Sequence, residues 1–373
     1  MECQSPNDAG GVGPSISSAT ASIEAITLED PLSPSTRFYS AADLAPDLPS
    51  LLDLASRGQW RSVLDKVARA RTTSLLSKPH EHVVYLAFNA LALHKLRRFT
   101  DASLEIDSLS PVDDHPEDPF QHHRFLYESY PEIYPSLRGS MLPFAVRLLY
   151  ADLPQRIGNR SESLDRFYSL LCFTRARHGD SWRRRENFVL GTLSCNHFIH
   201  RELDVSLALI RELIASNPAD PVLLSRLGYV QLQIGDLDGA KESFSRVEGM
   251  KLSGVEFENL VGRNRALGFV VSKEYVSAVR EYEQCIERDP RDVVAVNNKA
   301  LCLMYSRDLS DSIKQLEGTL ERVPTAALNE TLVVNLCSMY ELAYVQHGDI
   351  KKSLSNWIAR VAPDDFDPSC TRI

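Results

Sequence analysis

The chain has 373 residues, 43% apolar and 24% charged, which is enough material for one long repeat domain or two to three compact ones. With 41 Lys+Arg against 50 Asp+Glu the net charge is −9. A field of that sign repels phosphate backbones and anionic lipid headgroups, which excludes nucleic acid as an expected partner. The longest nearly unbroken apolar run, Val83 to Leu93, contains Asn89 and is far too short to cross a bilayer, so no direct membrane insertion is expected.

Residues 1–40 are rich in Ser, Pro, Gly, Ala and Thr and are predicted to be a disordered tail, because such a segment cannot bury enough surface to offset its ordering entropy. The start, Met1 to Pro6, has neither the basic region nor the apolar run of a secretory signal. Gly10-Gly11-Val12-Gly13 lies in this tail, with no preceding strand and no Lys opening a helix, so it is not read as a phosphate loop.

From residue 41 to 373 the pattern is one of helical segments about a dozen residues long, broken by Gly-Asp, Asn-Pro or Asp-Pro. The clearest unit spans 221–254. Leu227-Gly228 sits in its first helix, Gly235-Asp236 forms the turn, and Ala240 and Phe244 sit in its second helix. A small Gly228 admits a closely approaching helix, Ala240 is its small counterpart, and Gly235 supplies the left-handed backbone that ends the first helix. Neighbouring windows repeat the arrangement. Residues 187–220 carry Leu193, Ser194, Ser206 and Pro218; 259–292 carry Ala266, Phe269, Ala278, Tyr282 and Pro290; 293–326 carry Ala300, Leu303, Ser312, Leu316 and Pro324. Each closing Pro stops the second helix.

Looser copies flank these. Tyr344, Gly348-Asp349, Ser353 and Trp357 mark the last; Gly158, Ser163 and Phe167, then Leu86, Ala90, Leu93, Phe99 and Ala102, and finally Gly58, Trp60 and Val63 mark earlier ones. Pro154 falls where a first helix should be continuous. The predicted fold is all-α, a tetratricopeptide-repeat solenoid of antiparallel helix pairs wound as a right-handed superhelix. A Pro- and Tyr-rich insertion at about 111–141 interrupts it, and its aromatic content predicts packing across the repeats or a docking surface.

Candidate chemistry is sparse. His115, His122 and His123 stand near Asp113, Asp114, Glu117 and Asp118, but at no zinc-site spacing and without a cysteine. His197 and His200 lack a third ligand, and Arg183-Arg184-Arg185 reads as a solvated helix start. The seven cysteines are scattered; Cys195, Cys285, Cys302 and Cys337 lie in apolar helical patterns and act as small hydrophobes in a reducing cytosol. No catalytic, cofactor-binding or metal residue is assigned, and no enzyme activity or cofactor is expected. A co-chaperone-like adaptor that grips a C-terminal carboxylate would use Arg263 and Asn298, but Leu267, Asn335 and Met339 stand where its amide and further cations belong.

Several strings are more specific than a generic repeat. Residues 130–155 read YPEIYPSLRGSMLPFAVRLLYADLPQ, 233–236 read QIGD, 289–305 read DPRDVVAVNNKALCLMY and 335–341 read NLCSMYE. Over residues 40–373 the sequence resembles the subunit 12 family of the trafficking protein particle (TRAPP) tethering complex, although its N-terminal tail is shorter than in the animal members. The resemblance implies a non-catalytic scaffold that binds other subunits of a TRAPP-type complex. Such a subunit acts in ER-to-Golgi and Golgi trafficking and in autophagy, is cytoplasmic with peripheral membrane association through the complex, and meets a Rab GTPase only indirectly. The alternative is a stand-alone adaptor with a peptide in its concave groove.

Overall fold

The computed structural model describes residues 48–109, 120 and 122–372. The tail at 1–40, His115 and the acidic residues beside it, and the start of the 111–141 insertion lie outside them. The regular secondary structure of the described residues is helical, apart from an isolated antiparallel bridge between Leu126 and Ser140. It forms two compact units that meet between Thr192 and Leu193.

The first unit contains the pairs α1 (Leu48–Ser56) and α2 (Trp60–Thr72), α3 (Pro79–Lys95) and α4 (Phe99–Asp107), and α5 (Phe144–Arg156) and α6 (Arg160–Arg175). Helix α7 (Asp180–Ile199) contains the boundary. The second unit continues with α8 (Leu203–Ser216), α9 (Pro221–Ile234), α10 (Leu237–Gly249), α11 (Val255–Val271), α12 (Tyr275–Arg288), α13 (Val293–Tyr305) and α14 (Leu309–Arg322). After a short turn, α15 (Pro324–Ala327), come α16 (Glu330–Ala343) and α17 (His347–Val361). These are the antiparallel helix pairs of a tetratricopeptide-type solenoid.

One packing device recurs. In five of the pairs both helices carry a small residue at the corresponding place, Ala90/Ala102, Ala151/Ser163, Ser194/Ser206, Ala266/Ala278 and Ala300/Ser312, and all are buried. Where one member is Ser, burial is balanced by a hydrogen bond to the opposite helix. Ser163 Oγ donates to the Ala151 carbonyl at 2.6 Å, Ser206 Oγ to that of Ser194 at 3.0 Å, and Ser312 Oγ to that of Ala300 at 2.6 Å. At Gly228 a Cβ would stand 2.5 Å from the Phe244 ring, so it is this ring, more than Ala240, that demands glycine there. Gly262 is a further close approach that the repeat template does not mark: its Cβ would lie 2.6 Å from Cys285 Sγ.

Each first helix except the last ends in a left-handed residue. Three are glycines, Gly58, Gly158 and Gly235; the others are Arg97, Arg201, Lys273 and Arg307, with φ of 60–68°. The template marks the glycines alone, because a side chain there is strained. The basic residues are placed instead at the negative end of the helix dipole. Arg307→Gly is therefore expected to raise stability by about 0.5–1 kcal/mol, relief of αL strain exceeding the lost charge interaction. A thermal melt showing no gain would assign Arg307 a stabilising contact of its own.

Pro154 does not break α5. It lies in the last turn, where its missing N–H leaves the Tyr150 carbonyl without a helical donor. Arg166 Nη1 supplies that donor at 2.9 Å while its guanidinium lies over the Tyr150 ring, 3.7 Å from the centroid. Gly348-Asp349 is a correction: it falls inside the first turn of α17, and Tyr344 to Gln346 form the link before it. Beyond α17, residues 362–372 fold back over the last pair. The Asp367 N–H donates to Glu330 Oε1 at 3.0 Å, and Cys370 packs with Val333, Cys337 and Ile358.

Candidate protein-interaction surface

The described part of the insertion packs on the first unit. Phe120 meets the Tyr150 ring edge-on at 5.1 Å and is buried in the core of that unit. The Tyr134 hydroxyl bonds His80 Nδ1 at the start of α3, and Tyr127, Tyr134 and Met141 form a small core of their own. The Tyr127 N–H to Gly139 carbonyl bond (2.9 Å) and the Met141 N–H to Phe125 carbonyl bond (2.7 Å) close the segment into a clasp. Its tyrosines are spent largely on packing.

A buried charge ties α3 to α5 in the same unit. His94 Nε2 and Arg156 Nε each stand 2.8 Å from Asp152 Oδ2. Burial alone would raise the Asp152 carboxyl, but hydrogen bonding and charge from His94 and Arg156 prevail and hold it well below the usual carboxylate range.

Arg185 departs from the solvated reading of 183–185. It is buried, with its guanidinium 4.5 Å from the Phe144 centroid and 4.3 Å from that of Trp182, whereas Arg183 and Arg184 are exposed. On a helix only one residue of three in a row faces inward, and here the inward place is lined with aromatic rings that attract a cation.

In the second unit the residues of the carboxylate-grip register are engaged internally. Arg263 pairs with Asp292, which also accepts from Asn259 Nδ2 at 3.0 Å and caps α13 through the Ala295 N–H at 3.0 Å. Asn298 Nδ2 reaches the Tyr282 hydroxyl at 3.4 Å, Asn335 Nδ2 donates to Asn297 Oδ1 at 2.8 Å, Met339 is buried and Leu267 is half-buried. With Asn264 Nδ2 to Ser225 Oγ at 2.8 Å, the Asn259, Asn264 and Asn335 amides link first helices of successive pairs, while Asn298 reaches the second helix α12. They order the stack and present no cluster of free cations.

The remaining polar candidates are scattered as well. His122 Nδ1 accepts the Arg124 N–H at 3.2 Å, His197 Nδ1 bonds Glu202, and among the described residues no three His, Cys, Asp or Glu side chains converge. Cys285, Cys302, Cys337 and Cys370 are buried; burial pushes Cys302 up to about 11 and Cys370 up to about 12, so both remain thiols at neutral pH. Cys195 is exposed, against the expectation of a small core hydrophobe.

What the surface offers instead is apolar side chains and grooves. The ends of successive first helices in the second unit expose Ile199, Ile234, Val271, Tyr305 and Leu342, and Tyr305 stacks on Tyr275 at 5.4 Å. A groove of about 490 Å³ in the first unit lies between α2 and α4 over α3, and one of about 320 Å³ in the second lies along α13 and α14. No helix among the described residues is long and apolar enough to cross a membrane.

No family model matches the chain. It is 30% identical over 370 residues to trafficking protein particle complex subunit 12 of Mus musculus, covering 90% of this chain and 45% of that protein. To trafficking protein particle complex subunit 12 of Homo sapiens it is 30% identical over 359 residues, covering 87% and 48%. The chain thus spans about half the length of the curated relatives it matches. Among solved structures, it resembles a tetratricopeptide-repeat protein from Parabacteroides merdae (TM-score 0.45, 12% identity, 79% of this chain and 97% of that one). It also resembles the APC/C hetero-tetramer Cut9–Hcn1 (TM-score 0.41, 13% identity, 78% and 48%). At that level of likeness the fold assignment rests on the helix pairs themselves. The chain is built of tetratricopeptide-type helix pairs, and over most of its length it is similar to subunit 12 of the trafficking protein particle complex.

Proposed function

We propose that this chain is a non-catalytic scaffold subunit of a TRAPP-type vesicle-tethering complex, acting in ER-to-Golgi and Golgi trafficking and in autophagy. The observation that carries the reading is the 30% identity sustained over 370 residues, nine-tenths of the chain, through both compact units. The structural features agree with it. Helix pairs build long surfaces without a reaction centre, and exposed apolar side chains stand on helix ends and groove walls where another protein can cover them. In this reading residues 41–373 are the binding body, residues 1–40 a tail, and contact with membranes and with a Rab GTPase runs through other subunits.

The test is native purification of the tagged chain from its own cells, with size fractionation and mass spectrometry. The expected result is co-elution with several TRAPP subunits at comparable stoichiometry in a particle many times larger than the 41.8 kDa chain. Elution near its own mass, with chaperones or nothing reproducible, would replace the tether by a stand-alone adaptor.

A further inference from the structure

We propose that the groove between α2 and α4 takes a basic side chain, Arg or Lys, carried on an apolar segment of a protein partner. The inference rests on the reading of the chain as a protein scaffold and names one of its contact surfaces and the chemistry that surface selects.

A comparison between repeats within the chain points there. The residue just before the small packing position of a first helix faces the second helices on both sides. In α11 this is Arg265, which reaches Glu248 on α10 at 2.7 Å and Glu281 on α12 at 3.7 Å. In α13 it is Lys299, which pairs with Glu283 on α12 and donates to Gln315 Oε1 on α14 at 3.0 Å. Both cations sit between flanking acceptors and tie successive pairs together.

In α3 the same place holds Asn89, just before Ala90. The flanking helices carry the acids expected there, since Asp65 on α2 and Asp101 and Glu105 on α4 line the groove with it. The cation is absent from this position, although Arg98 also lines the groove. Asn89 is too short to span the gap, and its half-buried amide makes no hydrogen bond among the described residues. Asp101 is paired with Arg98 at 2.7 Å and Glu105 with Arg71, but Asp65 has no cationic partner among the described residues.

The walls are apolar. Leu64 and Leu93 line the groove, and Leu104 stands on its lip at 65% exposure. A long basic side chain fits this arrangement: its methylenes lie on the leucines while its head reaches Asp65 and the Asn89 carbonyl oxygen. Apolar neighbours on the same partner segment would cover Leu104. A Glu or Asp in that place would meet the carboxylates, which excludes acidic ligands.

The test uses the full chain and a random peptide library displayed on phage. Counter-selection on Asp65→Lys keeps the peptides that need the groove, and synthetic copies are then titrated by fluorescence anisotropy. Recovered peptides are expected to carry Arg or Lys beside Leu, Ile or Phe, and to bind Asp65→Lys and Leu104→Asp roughly tenfold or more weakly. Asn89→Lys is the sharper variant, because it rebuilds the cation that α11 and α13 carry at this place: it should abolish peptide binding while leaving the thermal melt unchanged or raised. Peptides that lack a basic residue, or that bind Asn89→Lys as well as the parent, overturn the proposal. This outcome is separable from that of the native purification, since TRAPP subunits recovered beside a groove that selects no basic peptide refute the groove alone.

Discussion

Asp152→Ala is expected to destabilise the first unit by about 3 kcal/mol, the low end for breaking a buried ion pair. The carboxylate is what makes burial of the group tolerable for its neighbours. It accepts from His94 and Arg156, and Gln155 Nε2 bonds its other oxygen. Without it, a buried imidazole loses its acceptor and α3 loses its polar tie to α5. The loss stays at the low end because Arg156 is 42% exposed and regains water. The effect carries a pH signature whose sign is fixed. The folded carboxyl is held below its ordinary range, so the unfolded chain takes up a proton first as pH falls. The stability that Asp152 contributes is fully present above the ordinary carboxylate pKa of about 4 and is lost as pH drops below it. Urea denaturation of parent and variant at pH 7 and pH 3, followed through Trp60 and Trp182 in the first unit, should show a wide gap at pH 7 and a narrowed one at pH 3. A gap of equal width at both would mean that the site acts by packing and not by charge.

Much of the fold is legible in the sequence because the repeats write it in small residues. Ala90, Ser163, Ser194, Ala266 and Ser312 stand where two helices cross, and a small side chain at that spacing has few other uses. The illegible parts have one physical cause, which is that a helix tolerates exceptions when tertiary contacts supply what the local rule lacks. Pro154 is tolerated because Arg166 replaces the missing donor. Arg97, Arg201, Lys273 and Arg307 adopt the left-handed backbone that a template reserves for Gly. Arg185 is buried because aromatic rings from α5 and α7 surround it, and a run of three arginines gives no hint which one turns inward. The groove at Asn89 was half visible. The run Val83 to Leu93 shows a lone polar residue, but that it replaces a cation emerges only when the pairs at Arg265 and Lys299 are seen in space. Interaction surfaces as a class are the least legible, since exposed Ile199 and buried Ile210 are the same residue type in the same helical pattern.

Gly228→Arg should disrupt the α9–α10 pair. The first carbon of any side chain at 228 would stand 2.5 Å from Phe244 Cε1 and 2.8 Å from Cδ1, so the ring must swing away before the rest of the arginine is placed. Overpacking of this kind costs on the order of 1–3 kcal/mol, and a guanidinium forced towards a buried helix crossing adds a desolvation penalty. Gly228→Ala separates the two effects. It raises helix propensity by about 1 kcal/mol and so offsets part of the clash, which predicts a small net loss for Ala and a large one for Arg. Hydrogen exchange locates the damage: amides of α9 and α10 should lose protection together, while those of α3 and α4 in the first unit keep theirs. The loss should also reach Ser243, which donates to Gln231 Oε1 at 2.6 Å between the same two helices and depends on their spacing. If Gly228→Arg melts with the parent and protects α9 and α10 equally well, the ring of Phe244 is not what holds these helices together. The close crossing would then be a consequence of the turn at Gly235 rather than of the packing above it.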